Sequence, residues 1–133
     1  MFESNKKYVR RQLHKKYGGQ MFSGISTPTK FPFIFIFTSE NGEKYGYIDK
    51  WKTEKLFYYS GQGQKGDMEF ISGNKRIRDH KSNNKKIYLF EKTKPGVVKF
   101  ISEMKYVGHH FTETKDSQNN LRKTIIFELE KVK

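Results

Sequence analysis

Phe31-Pro32-Phe33-Ile34-Phe35-Ile36-Phe37-Thr38 is a short, near-continuous apolar run built from Phe and Ile. A strand with one wet face would alternate apolar and polar residues. This run does not alternate, so it predicts a central strand buried on both faces. Pro32 fits only at its start, because proline donates no ladder hydrogen bond. Just downstream, Glu40-Asn41-Gly42-Glu43 carries an Asn-Gly hairpin signal. Residues 44–49 then predict a returning second strand, residues 52–55 a polar turn and residues 56–60 a third strand. Upstream, the glycines of 18–28 mark a loop. Before it, Val9, Leu13 and Tyr17 recur every four residues. That spacing predicts a helix over 6–17, capped by Ser4 or Asn5 and stopped by Gly18-Gly19. Further along, the pattern predicts a short helix at 72–80 with Ser72 or Asn74 near its cap. A strand follows at 86–91, then a Pro95-Gly96 turn and a long strand at 97–107 with a break near Ser102. A polar loop at 115–120 and a closing strand at 124–129 complete the chain. About seven strands and two short helices, with no repeat and no linker, give one α+β domain over residues 1–133. A strongly curved, barrel-like sheet with helices on its flank is the expected architecture.

Composition narrows the function. The chain has 133 residues, no Cys, 16% aromatic residues and a net charge of +13. One core of this size is the limit of such a length. Without Cys there are no disulfides, thiolate metal sites or Cys nucleophiles, and a reducing cytoplasm suits the chain. No apolar run approaches the roughly 20 residues of a membrane helix. A small domain this basic needs an acidic partner, and nucleic acid is the first candidate. Six cations, Lys6, Lys7, Arg10, Arg11, Lys15 and Lys16, stand near the start with no acid among them. That grouping suits phosphate contacts, although a charge run also serves simply as a solvated face.

Two tyrosine segments carry the chemistry. Gly46-Tyr47-Ile48-Asp49 and Tyr58-Tyr59-Ser60-Gly61-Gln62-Gly63 place aromatic rings, a carboxylate and open backbone near one another. Such a set can hold a planar polar ring that has left a base stack, with the carboxylate accepting from an exocyclic amine. The same spacing also suits a hairpin whose tyrosines pack on a core.

The order of these motifs resembles a known family. Tyr47-x-Asp49, then Tyr59-Ser60-Gly61-x-Gly63-x-x-Gly66-Asp67-Met68, then Gly73-Asn74-x-x-Ile77-x-Asp79-His80 and Ile87-Tyr88-Leu89-Phe90-Glu91 are similar to SRA-like domains. These domains precede HNH nuclease domains in bacterial modification-dependent restriction enzymes of the McrA type. More distantly they resemble the SRA domains that read 5-methylcytosine in chromatin. The resemblance implies a PUA-like curved sheet and a cytosine, methylated or hydroxymethylated, flipped from duplex DNA into a pocket. Tyr47 and Tyr59 match the two aromatic walls, and Asp49 matches the acid on the Watson–Crick edge, one position short of its family place. Ser60, Gly61 and Gly63 would complete the pocket. Backbone and groove contacts fall on Lys6, Lys7, Arg10, Arg11, His14, Met21, Phe22, Lys75, Arg76 and Arg78. Met21-Phe22 is the expected wedge into the vacated stack. The implied role is a non-catalytic, cofactor-free, cytoplasmic bacterial module whose nuclease partner lies in cis or in trans.

Two other readings remain open at this level. Asp79, Glu103 and Lys105 have a nuclease-like content that could hold Mg²⁺. A PUA-type domain could also bind structured RNA. His109-His110 invites a metal reading, but adjacent residues in a strand point to opposite faces and no third ligand is near in sequence.

Overall fold

The computed structural model describes residues 2–39 and 49–132. Its elements are β1 (Lys7–Val9), α1 (Arg10–Tyr17), β2 (Ile25–Ser26), β3 (Phe33–Thr38), β4 (Lys50–Trp51), β5 (Leu56–Ser60), α2 (Ser72–Arg78), β6 (Lys86–Lys94), β7 (Val97–Lys115) and β8 (Leu121–Lys131). The described strands form one sheet in the order β2-β3-β6-β7-β8-β5-β4, with β1 paired to the start of β7. Every pairing is antiparallel except β3 with β6. The described sheet is curved and open, so "barrel-like" describes its curvature and not its closure. No helix among the described residues is long and apolar enough to cross a membrane.

The parallel pair explains the Phe–Ile run. Ile34 and Ile36 of β3, with Ile87 and Leu89 of β6, face an aliphatic core that also holds Ile77 of α2. Phe35, Phe37, Tyr88 and Phe90 face the other way, into an aromatic core closed by Leu13 of α1. A parallel pair covered on both faces needs apolar residues at every position. Phe2 sits at the centre of the aromatic core, within ring-contact distance of Tyr8, Tyr17, Phe35, Tyr88, Phe90 and Phe100.

Three expectations need correction. The first helix starts at Arg10, not at residue 6, and has no side-chain cap at Ser4 or Asn5. Residues 7–9 are extended because the edge of β7 accepts them, with Lys7 opposite Lys99 and Val9 opposite Val97. Val9 is consequently 39% exposed instead of facing the core. Second, α2 is preceded by Ile71, and Asn74 lies inside the helix with its side chain engaged elsewhere. Third, β6, β7 and β8 run well past their predicted ends. The break expected near Ser102 is a bulge: β6 skips Ile101, pairing Leu89 with Ser102 and Phe90 with Phe100. A second bulge skips Val107, between Tyr106 and Gly108, against β8. Each extra residue turns the side-chain alternation over, so one strand of 19 residues serves both cores. The second strand expected over 44–49 lies almost wholly outside the described residues.

His80 ties α2 to the sheet. Its Nδ1–H donates to Lys85 O at 2.8 Å and its Nε2 accepts from Tyr106 N–H at 3.0 Å. Both contacts need the neutral ring, and burial holds the His80 pKa below its usual value. His14 is shifted the same way, mainly by burial. In both cases the unfolded chain binds the proton more readily than the native one. Stability is therefore present above the unfolded value of 6.5 and is lost as pH falls through it. Melting followed from about pH 7.5 to about pH 5.5 should show a steady fall. A flat profile would show that these rings do not hold the fold as neutral imidazoles.

Candidate nucleic-acid interface

A cavity of about 830 Å³ opens between α1, the 21–24 loop, the end of β3, β5 and the 61–64 loop. Asp49, Tyr59, Ser60, Gly61 and Gly63 line one part of it, and Arg10, Arg11, Met21 and Phe22 line another. In the sequence these residues form two separate groups, one expected in a pocket and one at the DNA backbone and groove. The fold brings the two groups to one opening. Tyr47 lies outside the described residues.

Asp49 is held at both oxygens. Its Oδ1 accepts from Ser60 N–H at 2.8 Å, and its Oδ2 accepts from the Thr38 hydroxyl at 2.7 Å. Burial raises its pKa, opposed by the Ser60 and Thr38 hydrogen bonds. A carboxylate kept in a partly dry wall, with lone pairs to spare, is an acceptor of fixed direction. Tyr59 is also fixed. Only 4% of its surface is exposed, and its ring packs among the aliphatic core residues. Its hydroxyl lies 2.9 Å from Gly24 O and 3.1 Å from Phe37 O, which tethers the 21–24 loop to β3. A base resting there would meet a rigid wall and not a free-standing aromatic face.

Arg10 shows why α1 must begin where it does. Its guanidinium lies 3.7 Å from the centre of the Phe37 ring. Nε donates to His14 Nε2 at 3.1 Å, and Nη2 donates to Ser23 O and to Gln20 O. Burial lowers its pKa to about 10, so it remains a cation at neutral pH. His14, expected at the DNA backbone, is instead buried. Its Nδ1–H donates to Gly18 O at 2.9 Å, leaving Nε2 to receive Arg10. The i, i+4 spacing on one helix face makes that contact. Both His14 ring nitrogens are thus engaged within the domain, and the ring positions Arg10.

The remaining cations are spread over the surface. Lys6 and Lys7 are exposed on the approach to α1, and Lys6 pairs with Glu3 at 3.2 Å. Lys75 and Arg76 are exposed on α2. Arg78 lies over the Phe70 ring at 4.8 Å and pairs with Asp79 at 2.9 Å. Phe22 is 94% exposed and lines the cavity.

Sequence reasoning missed the frame behind the 61–66 loop. Asn74, 1% exposed, accepts from Gln62 N–H at 2.7 Å and donates to Gln62 O and Glu69 O at 2.9 Å each. Arg122, also buried, donates to Gly63 O at 2.9 Å, to Gly66 O at 3.1 Å and to the Thr114 hydroxyl at 3.1 Å. Asp116 accepts from Gly66 N–H at 2.9 Å, and the backbone donors around it hold its pKa down. Gly61 is required by this frame, because a Cβ there would stand 2.9 Å from Asn74 Oδ1. Asn74 was visible as a motif letter. Arg122 carries no sequence signal at all.

The nuclease candidates are not assembled. Asp79 is paired with Arg78, and Lys105 with Glu130 at 3.3 Å. No three His, Asp or Glu side chains among the described residues are grouped to share a metal ion. His109 packs on Phe70 and contacts the Tyr106 hydroxyl, while His110 faces Tyr58 and pairs with Glu128, so the two rings occupy opposite faces of β7.

The family model described as "ScoMcrA-like, SRA domain" matches residues 4–133. The chain belongs to that SRA family. The SRA fold is repeated in solved structures of low identity. One is the sulfur binding domain and SRA domain of ScoMcrA complexed with phosphorothioated DNA, with a TM-score of 0.78 and 19% identity, covering 99% of this chain. The chain spans 40% of that protein's length and 28% of the ScoMcrA restriction endonuclease structure. Another is the SUVH5 SRA domain with hemi-methylated CG DNA, with a TM-score of 0.68 and 18% identity, covering 98% of this chain and 89% of the other. SUVH5 SRA bound to fully hydroxymethylated CG DNA gives 0.62 and 17%, covering 99% and 86%. No match was found among curated protein sequences.

Proposed function

We propose that this SRA domain binds duplex DNA carrying a modified cytosine, draws that base from the stack into the cavity, and so directs a nuclease held in cis or in trans. The observation that carries the reading is Asp49, anchored at both oxygens in the wall of a cavity large enough for a nucleotide. Support comes from the SRA family match and from relatives solved with phosphorothioated, methylated and hydroxymethylated DNA. Extrusion costs a few kcal/mol of stacking and pairing. Contacts in the cavity offset that cost, Phe22 fills the vacated space, and surface Lys and Arg supply salt-dependent affinity. The carboxylate gives discrimination, since a base without the matching donor leaves it unpaired.

The test is a titration of matched duplexes differing at one cytosine, with 2-aminopurine beside it as a reporter of extrusion. Tighter binding to a modified duplex, brightening of the reporter and a linear fall of log affinity with log salt are expected. Equal affinity with a dark reporter would leave only non-specific charge binding.

A further inference from the structure

A second basic surface stands away from the cavity. The turn that joins α2 to β6 carries Lys81 and Lys85 and ends at Lys86, and α2 adds Lys75 and Arg76. Lys86 N–H donates to Pro32 O at 2.9 Å, so the chain entering β3 past Lys30 arrives at the same end of the sheet. All but Lys85 of these six cations are exposed. Lys86 begins β6, and Lys92, six residues on, lines the cavity. At ~3.3 Å per residue, roughly 20 Å of strand separates the two.

The charge here is uncompensated. Asp79 is the one acid between Lys75 and Lys86, and Arg78 holds it at 2.9 Å. Glu103 of β7 is close enough to act on the His80 ring. Yet among the described residues no carboxylate lies within ion-pair distance of any of the six. Like charges gathered without acids repel one another, and a polyanion relieves that repulsion. The turn is also held in shape. His80 Nδ1–H donates to Lys85 O and Lys85 N–H to His80 O, both at 2.8 Å. Asn83 N–H donates to Asp79 O and Asn84 N–H to Lys81 O, both at 3.1 Å. Its backbone therefore has little freedom left to lose on binding.

This surface has charge but no apolar anchor. The exposed large apolar side chains lie elsewhere among the described residues, the nearest in sequence being Ile71, ahead of α2. Protein interfaces are built around buried aromatic or aliphatic anchors. A phosphate backbone asks only for cations and hydrogen-bond donors, and Ser82, Asn83 and Asn84 supply the donors between the lysines. We propose that the α2–β6 turn binds the backbone of a second DNA duplex, so that one domain holds two duplexes, one at the cavity and one here. The second contact is to phosphates, so it accepts any sequence and needs no modified base. It stands independently of base extrusion.

The test is a capture experiment. A short duplex with 5-methylcytosine beside 2-aminopurine is immobilised and saturated with the chain, and a fluorescent unmodified duplex is then added. The natural chain should capture the second duplex, and native mass spectrometry should find one chain carrying two duplexes. The triple variant Lys81→Gln, Lys85→Gln and Lys86→Gln, shown by melting to be folded, should capture it at least about tenfold more weakly. Its salt dependence for that capture should be shallower by up to about three units of slope. Affinity for the immobilised duplex should shift less than about twofold. Equal loss for both duplexes assigns these lysines to the first contact and overturns the proposal. Two duplexes found only with two chains overturn it as well. No capture of DNA, with polyglutamate binding lost in the triple variant, assigns the surface to an acidic protein and overturns it. A dark reporter with capture intact removes base extrusion and leaves the second surface standing.

Discussion

Asp49→Asn should leave the domain folded and at least as stable, yet lower its affinity for modified DNA roughly 10- to 150-fold, the equivalent of about 1.5–3 kcal/mol for a hydrogen bond to a charged group. The fold survives because an amide keeps both anchors: its oxygen still accepts from Ser60 N–H, and its nitrogen donates to the Thr38 hydroxyl. The charge itself is a cost to the native state. Burial raises the Asp49 pKa above its ordinary 3.8. The native chain therefore takes up the proton more readily, and this residue's contribution falls as pH rises through the interval above 3.8. Removing the charge removes that cost. Binding suffers because an NH₂ group now faces the exocyclic amine that the carboxylate would accept from. Calorimetric titration together with thermal melting checks both halves. Unchanged affinity would show that Asp49 does not meet the base, and unfolding would show that its two anchors do not tolerate the amide.

Asn74→Leu should destabilise the domain by about 3–5 kcal/mol and abolish selective binding. Leucine has nearly the same size and leaves no large void. It strips partners from Gln62 N–H, Gln62 O and Glu69 O at a position 1% exposed. Each buried polar group left unpaired costs about 1–3 kcal/mol. Gln62 is part of the cavity wall, so the same change loosens the segment that shapes it. Hydrogen exchange at the Gln62 amide should accelerate before that of the β5 amides. A melting temperature close to that of the natural chain would show that the frame is redundant, with Arg122 and Asp116 sufficient.

These two residues differ in how far they could be read in advance. Asp49 stands two positions from Tyr47 in a motif, and its chemical type announces an acceptor. Asn74 also sits in a motif, but its letters resemble a helix cap, and only the path of the 61–66 loop shows that its side chain leaves the helix. Arg122 is one of 27 basic residues, and nothing local distinguishes it. Its partners, Gly63 and Gly66, lie far away in the chain. The burial of His14 is illegible for a related reason: a histidine among lysines looks like part of a charged face until β3 brings Phe35 and Phe37 against it.

The sequence by itself determined the class of this protein. An eight-residue Phe–Ile run can satisfy water only by having both faces covered, which demands a central strand with packing above and below. Glycine and proline spacing then set the turns, and a charge of +13 points to an acidic partner. What only the tertiary structure decided is where chain segments without local preference go. Residues 7–9 became a strand because β7 offered an open edge, and two bulges reversed the faces of one long strand. Arg10 became a cavity wall because Phe37, His14 and two carbonyls converge on it. Local pattern sets how a segment prefers to fold, but long-range hydrogen bonds and burial set which side chains end up facing one another.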